Sequence, residues 1–198
     1  EGATRFCVPG DLLFSLLVTL YGVSEHMEVS FAGMVGDGVP LVLPEPADEI
    51  GLADENGKEY LHLKRAGDTV VDEALAASLC RAYVAFSGHA FPDLLVPLLA
   101  DHGVMLNPNR PMVIYQSMGI DMDTLDFDGL SLESDHNELD IDGKRGEARL
   151  VFNLLAGGEV VGRGFKSMVL SGLREYAKDE IALLVDRYAA AKDSFEAA

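Results

Sequence analysis

One feature constrains this chain more than any other: it says the same thing twice. "PGDLLFSLLVTLYGV" (residues 9–23) and "FPDLLVPLLADHGV" (91–104) share Asp-Leu-Leu-x-x-Leu-Leu and a Gly-Val exit. In each, the Asp (Asp11, Asp93) suits a helix N-cap and the Gly a left-handed C-terminal position. The first segment is apolar nearly all round, which predicts a helix enclosed by its own domain. Pro97 would remove an early intrahelical bond if Asp93 is the cap, so the second helix is expected to begin a few residues later.

Strand-like sequence follows each helix. After the first come "HMEVSFAGMV", "GVPLVLP", "EIGLAD" and "KEYLHLK", the last two joined through Asn56-Gly57, a tight-hairpin signal. After the second come "PMVIYQSMGID", "LSLES", "ELDID", "GEARLVFNLLA" and "EVVGRGFKSMVL", with turns at Asp142-Gly143 and Gly157-Gly158. Helix, antiparallel strands, helix, antiparallel strands is an α+β duplication, each half wrapping a sheet around one helix. A further helix over 72–86 carries Leu75, Leu79, Tyr83 and Phe86 on one stripe, capped by Thr69 or Asp72. A last one over 176–196 carries Ile181, Leu184, Val185, Tyr188 and Phe195. The expected divisions are 1–68 for the first half, 69–174 for the second and 175–198 for an amphipathic C-terminal helix.

Charge narrows the partners. The chain has 198 residues, with 33 acidic against 15 basic side chains and a formal net charge of −18. Such a surface repels nucleic-acid phosphates and anionic headgroups. The longest apolar run, Leu12 to Tyr21, is interrupted by Ser15 and Thr19 and falls short of the ~20 residues of a membrane span. No charged segment precedes it, so no secretory signal is expected. Cys7 and Cys80 form no metal-spaced pair or disulfide framework, which points to the reducing cytoplasm.

Several short motifs add a resemblance. "MVGDGVPLVL" (34–43), "DENGKEYL" (54–61), "ATRFCVPGDLL" (3–13) and "AYVAFSGHAFPDLL" (82–95) resemble segments of MaoC-like hydratases. The chain as a whole is similar to a proteobacterial family of hotdog proteins. The resemblance implies a double hotdog fold, two helix-wrapped antiparallel sheets, with a homodimer as the expected assembly. It also implies an acyl thioester, such as an acyl-CoA, as ligand. Pro9, Gly10 and Asp11 would line the acyl tunnel, with Val35, Gly36 and Asp37 nearby, and helix N-terminal amides would polarise the thioester carbonyl.

The same resemblance removes chemistry from the second half. MaoC-like enzymes activate water with an aspartate and a histidine in a loop of the form Ser-Gly-Asp-x-Asn-Pro-x-His. Here Ser87, Gly88 and Pro92 match, but His89 replaces the aspartate, Phe91 the asparagine and Leu94 the histidine. General acid–base catalysis needs a proton-transfer pair within hydrogen-bond reach, and leucine supplies no member of one. His89 is the catalytic candidate within these residues, read as the remnant of a degenerate site. The matching loop of the first half is expected before Glu1.

Other motifs carry less. In "DMDTLDFDG" (121–129) Leu125 occupies a ligand position of a calcium loop and Asp126 the place of its glycine, so a solvated acidic loop is expected and no metal. "GRGFKS" (162–167) lacks phosphate-loop spacing and lies in a strand pattern; its glycines mark close packing or a bulge. Lys64, Arg65 and Arg81 are candidate contacts for a coenzyme A phosphate. No cofactor is implied. The leading reading is an acyl-thioester-binding relative of enoyl-thioester hydratases or dehydratases. A non-catalytic protein holding an acyl or other apolar ligand is the alternative. A thioesterase is the second, with Asp11 or Asp101 as its carboxylate.

Overall fold

The computed structural model describes residues 7–196, with side chains through Ala190; residues 3–6 of the N-terminal motif and the Phe195 side chain lie outside that range. Helix α1 (Gly10–Tyr21) leads into β1 (Val23–Phe31), a short β2 (Leu41–Val42), β3 (Glu49–Asp54) and β4 (Glu59–Val70). The chain then enters α2 (Glu73–His89), a π-helical segment (Ala90–Leu95) and α3 (Val96–Asp101). A short β5 (Val104–Met105) precedes the long strands β6 (Met112–Met122), β7 (Ser131–Asp142), β8 (Arg145–Ala156) and β9 (Glu159–Ser171). After β10 (Arg174–Glu175) the chain ends in α4 (Lys178–Glu196).

Eight strands form one antiparallel sheet in the order β2-β3-β4-β1-β6-β9-β8-β7. The two halves meet where β1 pairs β6, Met27 opposite Ile120 and Val29 opposite Met118. Period-two burial makes one face of this sheet a core: Ala148, Leu150, Phe152 and Leu154 of β8 are buried, as are Met168 and Leu170 of β9. Against that face lie α1 and α2, in contact through Phe14 and Tyr83, whose ring centroids are 4.7 Å apart. Phe152 closes the cluster, 5.7 Å from Tyr83 and 4.9 Å from Phe86. This is an α+β double hotdog: α1 with β1–β4, then the α2–α3 helix with β6–β9. The expected division at 68/69 falls inside β4.

Four local expectations are corrected. Asp11 is not a cap: Pro9 is the N-cap, without a side-chain bond, and Asp11 lies inside the helix. Its carboxylate is instead drawn to a distant cation. Nor is α1 enclosed on all sides. Leu13, Phe14, Leu17, Val18 and Tyr21 are buried, but Leu12 and Leu20 remain exposed because sheet and α2 cover only one face. The third correction concerns residues 87–95, where no loop or Asp93-capped start occurs.

Glu73 to Asp101 is instead one continuous helix of 29 residues, entered through Asp72, whose Oδ1 accepts from the Leu75 amide at 2.7 Å. Pro92 cannot donate the ordinary bond to Gly88, and the helix answers by widening into a π turn rather than breaking. Tyr188 Oη of α4 donates to the Gly88 carbonyl at 3.2 Å. By length and composition this helix would pass for a membrane span. Its side chains Leu79, Tyr83, Leu95 and Leu99 are buried in the core. "LSLES" and "ELDID" are likewise one strand, β7, with a register irregularity between Ser134 and His136.

Candidate functional site

Strand β9 carries an anomaly. Its inward phase reads Gly162, Gly164, Lys166, Met168, Leu170, so a lysine occupies a core position, 0% exposed. A lone ammonium there would be expensive to desolvate, and buried charges are normally paired. Lys166 Nζ donates to Asp11 Oδ1 at 2.7 Å and to Ser87 Oγ. The Tyr83 ring face lies 4.1 Å from the ammonium, with Tyr115 and Phe86 at 5.6 and 5.9 Å. Burial lowers the Lys166 pKa below its ordinary value, against the charge and hydrogen bond of Asp11. Ser87 Oγ in turn donates to the Tyr83 carbonyl at 3.0 Å.

Glycines make room for this arrangement. A Cβ on Gly164 would enter the Phe152 ring, and one on Gly162 would meet the Asp121 carbonyl. Gly10 is wedged between Phe31 and Tyr115, each 3.1 Å from where its Cβ would be. The GRGFKS glycines are therefore close-packing positions in a strand.

The cluster opens on a cavity of ≈750 Å³. Asp11, Ser87 and Tyr115 line one part of it, and Leu95, Leu106, Leu150 and Met168 an apolar part. From α4 come Leu184, Arg187 and Tyr188, the last with its ring centroid 5.0 Å from Phe91. Asp11 keeps 16% of its side chain exposed while Lys166 keeps none, so the carboxylate faces the cavity and the ammonium lies behind it. Burial, reinforced by the Asp11 charge, raises the pKa of both Tyr115 and Tyr83 above the ordinary 10.0. Tyr83 Oη is buried with no hydrogen-bond partner among the described residues. A second cavity of ≈430 Å³ lies across Pro9, Val113 and Tyr115 and is lined by Cys7, Gly10 and Phe31, among others.

The sequence candidates are dispersed. Pro9 borders both cavities, Gly10 the smaller and Asp11 the larger. Val35 is buried, its carbonyl accepting from the Val8 amide at 2.9 Å. Neither it nor Gly36 nor Asp37 lines either cavity. His89 points to solvent, 66% exposed, with Nδ1 3.3 Å from Asp93 Oδ2. Asp101 is exposed at the end of α3. Arg65 is committed to the Ala47 and Tyr21 carbonyls, both at 2.7 Å, and Arg81 is exposed on α2. Asp121 pairs with His26 at 2.7 Å, and no three His, Cys, Asp or Glu converge as metal ligands among the described residues. Lys166, Ser87 and Tyr115 were missed. Ser87 is marked only as a match to the hydratase loop, and Lys166 carries a signal of its own: a lysine in the apolar phase of an alternating strand.

Fold and site together define a double hotdog protein with a buried lysine–carboxylate–serine cluster at the wall of an apolar cavity. The chain belongs to the family described as "Protein of unknown function (DUF3581)", whose model matches residues 1–179. No curated protein matches it by sequence. Among solved structures it is similar to the tesB protein of Mycobacterium avium subsp. paratuberculosis at 10% identity and a TM-score of 0.48. That similarity covers 86% of this chain and 89% of the other.

Proposed function

We propose that this protein binds an acyl thioester in the larger cavity and hydrolyses it, with Asp11 as general base. The observation that carries the reading is the Asp11 carboxylate, anchored by Lys166 at one wall of a mainly apolar chamber. The acyl chain lies among Leu95, Leu106, Leu150 and Met168. The thioester carbonyl sits over the α1 N-terminus, where the Leu12 and Leu13 amides are taken by the Pro9 carbonyl and the Gly10 and Asp11 amides have no intrahelical acceptor.

Asp11 Oδ1 is held by Lys166, which leaves Oδ2 to take a proton from water as its oxygen adds to the carbonyl carbon. The oxyanion develops against the helix N-terminal amides. Collapse breaks the carbon–sulfur bond, and the proton on Asp11 passes to the departing thiolate, giving acid and thiol. Lys166 touches no reacting atom; it is a positioning residue. The MaoC-like hydration chemistry pairs an aspartate with a histidine, and among the described residues this cavity is lined by one carboxylate, Asp11, and no histidine. That favours hydrolysis over hydration. Simple retention of an apolar ligand is favoured only by the engagement of Asp11 in an ion pair.

The test is thiol release from acyl-CoA of graded chain length, run beside loss of enoyl-CoA absorbance and direct binding. Asp11→Asn should cut hydrolysis by about 10²–10⁴-fold with binding retained. Binding without turnover would replace this reading with a carrier; enoyl loss without thiol release would replace it with a hydratase.

A further inference from the structure

Among the described residues, the larger cavity has two charged side chains on its lining, Asp11 and Arg187. Asp11 is answered by Lys166 at 2.7 Å. Arg187 has no carboxylate within ion-pair distance among the described residues. It is exposed, midway along α4, next to Tyr188, whose hydroxyl fastens that turn to Gly88. A chain with a net charge of −18 thus presents at this apolar chamber a guanidinium with no carboxylate partner among the described residues. An isolated arginine in such a field focuses attraction on one place, and its planar donors match a phosphate. The cations that sequence nominated for that task do not border this cavity, and Arg65 spends its donors on backbone carbonyls.

We infer that Arg187 recognises a phosphate on the carrier arm of the thioester, so that the ligand is an apolar acyl chain on a phosphorylated pantetheine. The inference rests on the thioester reading of the cavity. The phosphate at the end of phosphopantetheine is common to coenzyme A and to a carrier-protein prosthetic group, whereas the nucleotide phosphates belong to coenzyme A alone.

The experiment is a ligand truncation crossed with a substitution, read as dissociation constants at low salt. The ligands are one acyl group in a non-hydrolysable thioester analogue of coenzyme A, of phosphopantetheine and of unphosphorylated pantetheine. The proteins are wild type, Arg187→Gln and Arg187→Lys, each checked for an unchanged melting temperature. Wild type should prefer the phosphorylated ligands by about five- to tenfold. Arg187→Gln should erase that preference without weakening pantetheine binding, and Arg187→Lys should keep part of it. Equal preference for the two phosphorylated ligands assigns the shared phosphate; a gain with coenzyme A alone assigns the nucleotide. Uniform weakening of all three ligands by Arg187→Gln, or no change, overturns the assignment and leaves the thioester reading standing. Failure of wild type to bind any thioester analogue sinks both.

Discussion

Lys166 and Asp11 are 155 residues apart in sequence, and neither makes sense without the other. Removing one partner of a buried pair strands a charge, while replacing both with apolar groups is often harmless. The two sides here are unequal, because Asp11 retains contact with the cavity and Lys166 retains none. Asp11→Asn should therefore cost about 3–5 kcal/mol of stability. Lys166→Met should cost less, since methionine fills the same aromatic ring of Tyr83, Phe86 and Tyr115. The double variant Asp11→Asn/Lys166→Met should recover most of the loss. Urea denaturation of the four proteins checks this; additive losses in the double variant would mean that the two groups are not coupled.

Among the elements, the junction of α1 and β1 leaves no room for a side chain. Gly22 ends the helix at φ 84° and ψ 176°, a region that is essentially glycine's own. Its missing Cβ would lie 2.7 Å from the Val70 carbonyl, at the end of the strand that pairs with β1. Gly22→Ala should destabilise by at least about 1–3 kcal/mol, seen as a lower denaturation midpoint with an unchanged slope. The hairpin turns carry the same kind of local instruction: Gly57, Gly143 and Gly157 all have positive φ, at 81°, 60° and 59°. These turns were legible because the residue that permits them is the residue that forms them. The π segment was not. Pro92 read alone signals a break, and only the packing of Ala90, Leu95 and Leu99 into the core keeps Glu73–Asp101 continuous.

For the molecule as a whole, the buried hydroxyls and the buried ammonium set an alkaline limit with opposing signs. Tyr83 and Tyr115 hold their protons above the ordinary pKa of 10.0 because burial disfavours phenolate. The unfolded chain therefore loses those protons first, and stability present below pH 10 declines as pH rises through it. Lys166 is lowered from 10.5, so between its folded value and 10.5 it adds stability as pH rises. Two tyrosines outweigh one lysine whose shift Asp11 already opposes. The melting temperature should fall above pH 10, and the fall should be shallower in Tyr83→Phe and Tyr115→Phe. A pH profile unchanged by either substitution would argue against these rings as its source.

Much of this fold follows from short-range pattern. Two Asp-Leu-Leu-x-x-Leu-Leu segments, alternating strands and glycine turns specify which pieces form and on which face each is apolar, because hydrophobic period and backbone conformation act over a few residues. Asp11 could be placed at the mouth of a helix on that basis, and Lys166 could be recognised as a charge out of phase with its strand. Their meeting with Ser87 could not. The three come from α1, α2 and β9, and they converge only because α1 and α2 pack side by side on a sheet whose register sets Lys166 opposite Met118. His89 shows the reverse case: a local motif marked it, but the continuous helix turns it to solvent. Local sequence decides which side chains are available; the pairing of distant elements, driven by burial of their apolar faces, decides which of them share one cavity.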